Sequence, residues 1–96
     1  MDGRKMVNRR ELQKETGLPE QVLAVALTTA ERTCFFGVYK YDRADALRRA
    51  RDYCMELAAK YGMLYAVSGS KQNKARAERF AGYAARVNGL LRDDGG

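Results

Sequence analysis

The chain has 96 residues, with 18 Lys and Arg against 12 Asp and Glu, a net charge of +6 and a sequence pI near 9.6. That length bounds it to one small domain, or one with a helical extension, and to a modest core. The absence of His excludes a Cys–His zinc site, the apolar runs are far too short to span a bilayer, and the basic excess suggests a polyanionic partner, nucleic acid above all.

Residues 1–6 read as a flexible basic lead-in, with Arg4 and Lys5 able to reach a phosphate. From Val7 to Arg32 two short helical patterns meet at a Gly-Leu-Pro corner. Asn8 is placed to cap the first helix, with Glu11 three residues on to complete a capping box. Gly17 suits the left-handed conformation in which helices often end, and Pro19 fits the start of the next helix. That second helix is expected from Pro19 into Thr28 or Thr29. Val22, Leu23, Val25, Ala26 and Leu27 make it apolar over much of its circumference. Gln21, Ala24 and Thr28 are the residues expected to face outward, with Glu20 beside them, and neither Arg nor Asn stands among them.

The segment CFFGVYKY, Cys34 to Tyr41, is rich in aromatic and β-branched residues and holds Gly37 at its middle. It reads either as one bent strand or as a hairpin with a Gly-containing turn. Arg32 and Lys40 flank it. Asp42, followed by Asp45, signals the start of a helix running to about Tyr61, where Gly62 is expected to stop it. Leu47, Ala50, Cys54, Leu57, Ala58 and Tyr61 fall on one stripe of that helix. Met63 to Val67, MLYAV, reads as a candidate strand, and Ser68-Gly69-Ser70 as a break. A last helix begins near Lys71, with Ala77, Phe80, Ala84, Val87 and Leu91 on its apolar stripe. Lys71, Lys74, Arg76 and Arg79 crowd its first half, where the helix dipole disfavours cations, so they are candidates for further phosphate contacts. Residues 93–96 read as a solvated tail.

Little in the residues argues for an enzyme. SGSK, Ser68 to Lys71, is too short for a phosphate-binding loop, Cys34 and Cys54 lack metal-ligand spacing, and no metal or cofactor is implied. Without a signal peptide or transmembrane run the chain is expected in the cytoplasm, with both thiols reduced.

From Val7 to about Arg49 the chain resembles the winged helix-turn-helix domains of the MerR and excisionase type, which include the small terminase subunits of phages. The matching pieces are VNRRELQKETGLP as first helix and turn, PEQVLAVAL as recognition helix, TCFFGVYKY as wing and YDRADALRR as the helix after it. The resemblance implies a winged helix-turn-helix over 7–49; with the helical stripes read beyond it, the chain is expected to be mainly α with a small β element, its two longer amphipathic helices forming an extension over 50–92 available as a dimer or partner contact. It implies that Gln21, Ala24 and Thr28 face the major groove, that Arg9 and Arg10, with Lys14 on the same helix, meet phosphates, and that Arg32 and Lys40 make wing contacts. The stripe from Leu47 to Tyr61 would suit a homodimer contact.

The leading expectation is thus a small non-enzymatic protein that binds duplex DNA mainly through phosphates, a regulator or architectural factor of excisionase or packaging type. One alternative is a protein-interaction module, such as a phage- or plasmid-encoded inhibitor or adaptor. Another is a single-strand or RNA binder in which CFFGVYKY and MLYAV pair as strands and the tyrosines stack on bases.

Overall fold

The computed structural model describes residues 5–95. The chain order is β1 (Met6–Val7), α1 (Arg9–Thr16), α2 (Glu20–Ala26), β2 (Thr33–Phe35), β3 (Val38–Asp42), α3 (Arg43–Ser68) and α4 (Lys71–Gly95). The chain is mainly helical with one small antiparallel sheet, as the periodicities require, and its two longest helices close it.

Local chemistry sets the first elements. Asn8 Oδ1 accepts from the Glu11 amide at 2.8 Å while Glu11 Oε1 accepts from the Asn8 amide at 2.9 Å, so the capping box is complete. Gly17 closes α1 in the left-handed region with φ 71, and its amide donates to the Gln13 carbonyl at 2.8 Å. The Thr16 hydroxyl, fully buried, donates to the Leu12 carbonyl at 2.7 Å and accepts from the Leu18 amide at 3.2 Å. Pro19 sits just outside α2 as its cap. α2 is shorter than expected: it ends at Ala26, Leu27 adopts φ −96 and ψ 5, and Thr28 lies in the turn that follows.

Of the two forms open to CFFGVYKY, the hairpin is the one formed. Phe35 pairs with Val38, leaving Phe36 and Gly37 as a two-residue turn, and both have positive φ, 49 and 81. That is the pattern of a type I′ turn, whose twist matches that of the strands it joins. The sheet order is β1-β3-β2, with Val7 opposite Tyr41 and Thr33 opposite Lys40. Met6, expected in a flexible lead-in, is therefore a strand residue, while residues 1–4 of that lead-in lie outside the described residues.

The core gathers Leu12, Leu18, Leu23 and Leu27 from the first half around Ala46, Leu47, Ala50 and Cys54 of α3 and Ala84 and Val87 of α4. Each fully buried Leu contributes about 1.5–3 kcal/mol. α3 departs from expectation. Gly62 does not stop it, and MLYAV is helical, so the strand expected there does not form and the sheet of the single-strand alternative is absent. The helix ends at Gly69, which takes the left-handed cap with φ 70 and donates to the Tyr65 carbonyl. Ser70 then opens α4, accepting from the Asn73 amide. Residues 49 and 50, the expected domain boundary, lie within the single helix α3, and the expected tail is helical through Gly95.

The stripe assigned to a dimer contact is covered within the chain. Leu47, Ala50 and Cys54 are buried, and Leu57, Ala58 and Tyr61 are half-buried in the antiparallel hairpin that α3 forms with α4. Tyr61 stacks on Phe80 with centroids 6.0 Å apart, and Phe80 meets Tyr83 edge-on.

Candidate nucleic-acid interface

A cleft of about 770 Å³ separates the start of α1 from the β-hairpin. Asn8, Arg9, Arg10 and Gln13 line it on one side, Gly37, Val38, Tyr39 and Tyr41 on the other, with Glu20 and Arg32 completing the wall. Three of the residues expected at phosphates, Arg9, Arg10 and Arg32, are thereby brought to one concavity. Arg9 reaches Glu20 at 3.5 Å, with both side chains about half exposed or more. Arg32 lies over the Tyr39 ring with its Cζ 4.3 Å from the centroid, so the ring holds the guanidinium at the cleft edge without neutralising it. Lys14 is exposed on α1 outside the cleft. Lys40 is on the opposite flank of the hairpin, in a smaller hollow with Met6, Phe35 and Phe36. Among the described residues no ion pair engages Arg10, Lys14, Arg32 or Lys40.

α2 presents only part of the face expected of it, since Thr28 falls in the turn after the helix. Gln21 and Thr28 are exposed and Ala24 is half-buried. The Thr28 hydroxyl donates to the Ala24 carbonyl at 3.1 Å, so its lone pairs, not its proton, point to an incoming group. Val25, 53 % exposed, stands in the same outward row, although the sequence groups it with the apolar Val22, Leu23, Ala26 and Leu27 and not with the outward residues. The signal was its spacing, four residues after Gln21 and three before Thr28, which puts it on their side of the helix. An exposed aliphatic there can touch a thymine methyl but cannot hydrogen-bond a base.

Two further residues position this surface. Arg43, at the first position of α3, is 8 % exposed. Its Nε donates to Glu15 Oε1 at 2.9 Å and its Nη2 to Glu15 Oε2, joining α3 to the end of α1. That hydrogen bonding holds the Glu15 carboxyl below its ordinary range, against burial, and raises the already high pKa of Arg43. Arg86 of α4 donates from Nη1 to the Thr16 carbonyl at 3.2 Å, bracing the α1–α2 turn from behind.

Lys71, Lys74, Arg76 and Arg79 are exposed on the first turns of α4 and are not brought to the cleft. α3, with 26 residues and a length of about 39 Å, stands between them and the hairpin. There, Lys74 lies 5.8 Å from the Tyr65 ring and Arg76 5.5 Å from the Tyr61 ring. Cys34 is exposed on β2 and Cys54 is buried in α3, where desolvation pushes its thiol up to about 11. Among the described residues no His, Cys, Asp and Glu side chains gather into a metal-binding group, and no helix is long and apolar enough to cross a membrane. Compared with protein-family models, curated proteins and solved structures, the chain matches none.

Proposed function

We propose that this chain is a duplex-DNA-binding protein of winged helix-turn-helix design, in which α2 enters the major groove and the β2–β3 hairpin is the wing. The observation that carries the reading is the distribution of charge around α2. Residues 19–31 contain no Lys or Arg, yet Arg9, Arg10 and Lys14 lie exposed before it and Arg32 and Lys40 follow on the hairpin. In the fold Arg9, Arg10 and Arg32 gather at one cleft beside Glu20 at the start of α2, an arrangement that suits a protein holding a phosphate backbone there while the uncharged Gln21, Val25 and Thr28 face the adjoining groove. Gln21, Val25 and Thr28 would supply limited base readout, with Gln21 able to pair with adenine. Affinity would come mainly from phosphates, which fits an architectural or packaging role better than stringent operator recognition.

The test is the double variant Arg9→Glu/Arg10→Glu. It is expected to keep its circular-dichroism spectrum, because both side chains are exposed, and to lose most of its affinity for duplex DNA. Binding as tight as the parent's would refute the reading.

A second reading, a protein-interaction module, draws on the distal half of α3, where Met63, Leu64 and Val67 are 43–88 % exposed. Stable capture of a protein partner that is lost in Met63→Ser/Val67→Ser, together with no binding to nucleic acid at low salt, would select it.

A further inference from the structure

We propose that Phe36 is an intercalating wedge: the tip of the hairpin enters the minor groove and inserts this ring between two base pairs, kinking the duplex. The inference rests on the DNA-binding reading above and goes beyond it by assigning a deforming residue and a groove.

Phe36 is fully exposed, and it occupies the left-handed region with φ 49, a conformation that bulky side chains rarely adopt and that Asn or Gly would take more readily. The first position of a two-residue turn therefore carries the type of side chain least suited to it, both in backbone preference and in contact with water. Among the described residues none buries the ring, which only edges the hollow beside Lys40, whereas the next residue, Gly37, is the one such a turn favours. The two-residue turn holds the ring at the apex of a paired ribbon rather than on a long loop.

The charge around the tip selects the partner. From Arg32 to Tyr41 the chain carries two cations and no carboxylate. Thr33, the first residue of β2, is paired with Lys40 of β3, so Lys40 and Arg32, just before β2, stand at the base of the ribbon on its two sides. Three residues of strand, at about 3.3 Å each, separate that level from the tip, a distance of about 10 Å. A minor groove about 7.5 Å deep would then bring Arg32 and Lys40 level with the phosphates while the tip reaches the base edges. An aromatic ring delivered there has no phosphate to bind and gains by stacking in an opened base step, as the apolar wedges of minor-groove architectural proteins do.

The chain contains no Trp, so Phe36→Trp gives a single indole, at the tip, that can be excited selectively over the tyrosines. On titration with random-sequence duplex DNA, the indole emission is expected to fall at least about twofold and to become shielded from acrylamide, as stacking between bases requires. Phe36→Asn, which suits the left-handed turn, is expected to fold as the parent does. It should bind duplex about tenfold more weakly, the loss of one ring–base stack, with an unchanged salt slope and without the bend seen by energy transfer between labelled duplex ends. Unchanged indole emission in the bound state, or equal bending by Phe36→Asn and the parent, overturns the wedge and leaves the DNA-binding reading standing. Preference of the parent for single-stranded over duplex oligonucleotides overturns the minor-groove placement. Failure of the parent to bind duplex at low salt overturns both readings together.

Discussion

The guanidinium of Arg43 grips the carboxylate of Glu15 through two parallel donors, fastening the first turn of α3 to the last turn of α1 across 28 residues of sequence. Because β3 runs directly into Arg43 and α1 leads directly into the α1–α2 turn, this pair fixes the hairpin relative to the two short helices. The surface proposed to meet DNA is thus braced by a part-buried ion pair that lies outside the cleft.

The pair carries a stability and a pH prediction. Glu15→Gln removes its charge and, with the carboxylate partly screened by solvent, should cost about 1 kcal/mol, read from denaturant unfolding at neutral pH. Since the folded-state pKa of Glu15 is lowered, its contribution is complete above the usual glutamate pKa of about 4.3 and is lost as pH falls through the folded value. The stability gap between parent and Glu15→Gln should therefore be widest at neutral pH and close progressively below about pH 4. A gap that persists unchanged into acid would show that Glu15 acts through packing alone.

Two glycines in helix-ending contexts should respond oppositely. At Gly17 the φ is 71, and an added Cβ would run into the Arg86 guanidinium that braces the Thr16 carbonyl. Gly17→Ala should destabilise by about 1–2 kcal/mol. Gly62 lies inside α3 with ordinary helical backbone and open space where a Cβ would go. Gly62→Ala should stabilise by about 0.5–1 kcal/mol. Thermal melts of the two variants, falling for one and rising for the other, check both.

The thiols should separate cleanly. Cys34 is exposed, whereas Cys54 is fully buried and its thiol is raised to about 11. Under native conditions near pH 8, a thiol reagent should label one cysteine per chain, at Cys34, and the second only on unfolding. Rapid labelling of Cys54 in the native protein would contradict the packing of α3 against α4.

What the sequence made legible was local. The Asn8–Glu11 box, the Gly17 cap, the Asp42 cap and the three- and four-residue stripes of α3 and α4 each depend on residues within a turn or two of one another. What it hid was set by partners distant in the chain. Gly62 looked like a stop because Gly often ends helices, yet within a helix it costs only about 1 kcal/mol, and the packing of α3 along α4 carries the helix past it to Gly69. MLYAV looked like a strand on hydropathy, although only Val67 in it is β-branched. The roles of Glu15, Arg43 and Arg86 arise from contacts 28 and 70 residues apart, and no local pattern announces them. Within the candidate interface, the exposure of the polar Gln21 and Thr28 followed from helical spacing, whereas that of the apolar Val25 did not, and the grouping of Arg9, Arg10 and Arg32 around one cleft required the hairpin to be placed.

The most direct test of the account is fluorescence-anisotropy binding of the parent to random-sequence duplex DNA across about 50 to 200 mM salt, where each neutralised phosphate adds about −0.9 to the log–log slope. The account predicts a steep slope corresponding to about four or five phosphates, reduced by about 1.8 in Arg9→Gln/Arg10→Gln. No binding at the low-salt end, or binding whose slope those two residues leave untouched, would contradict it.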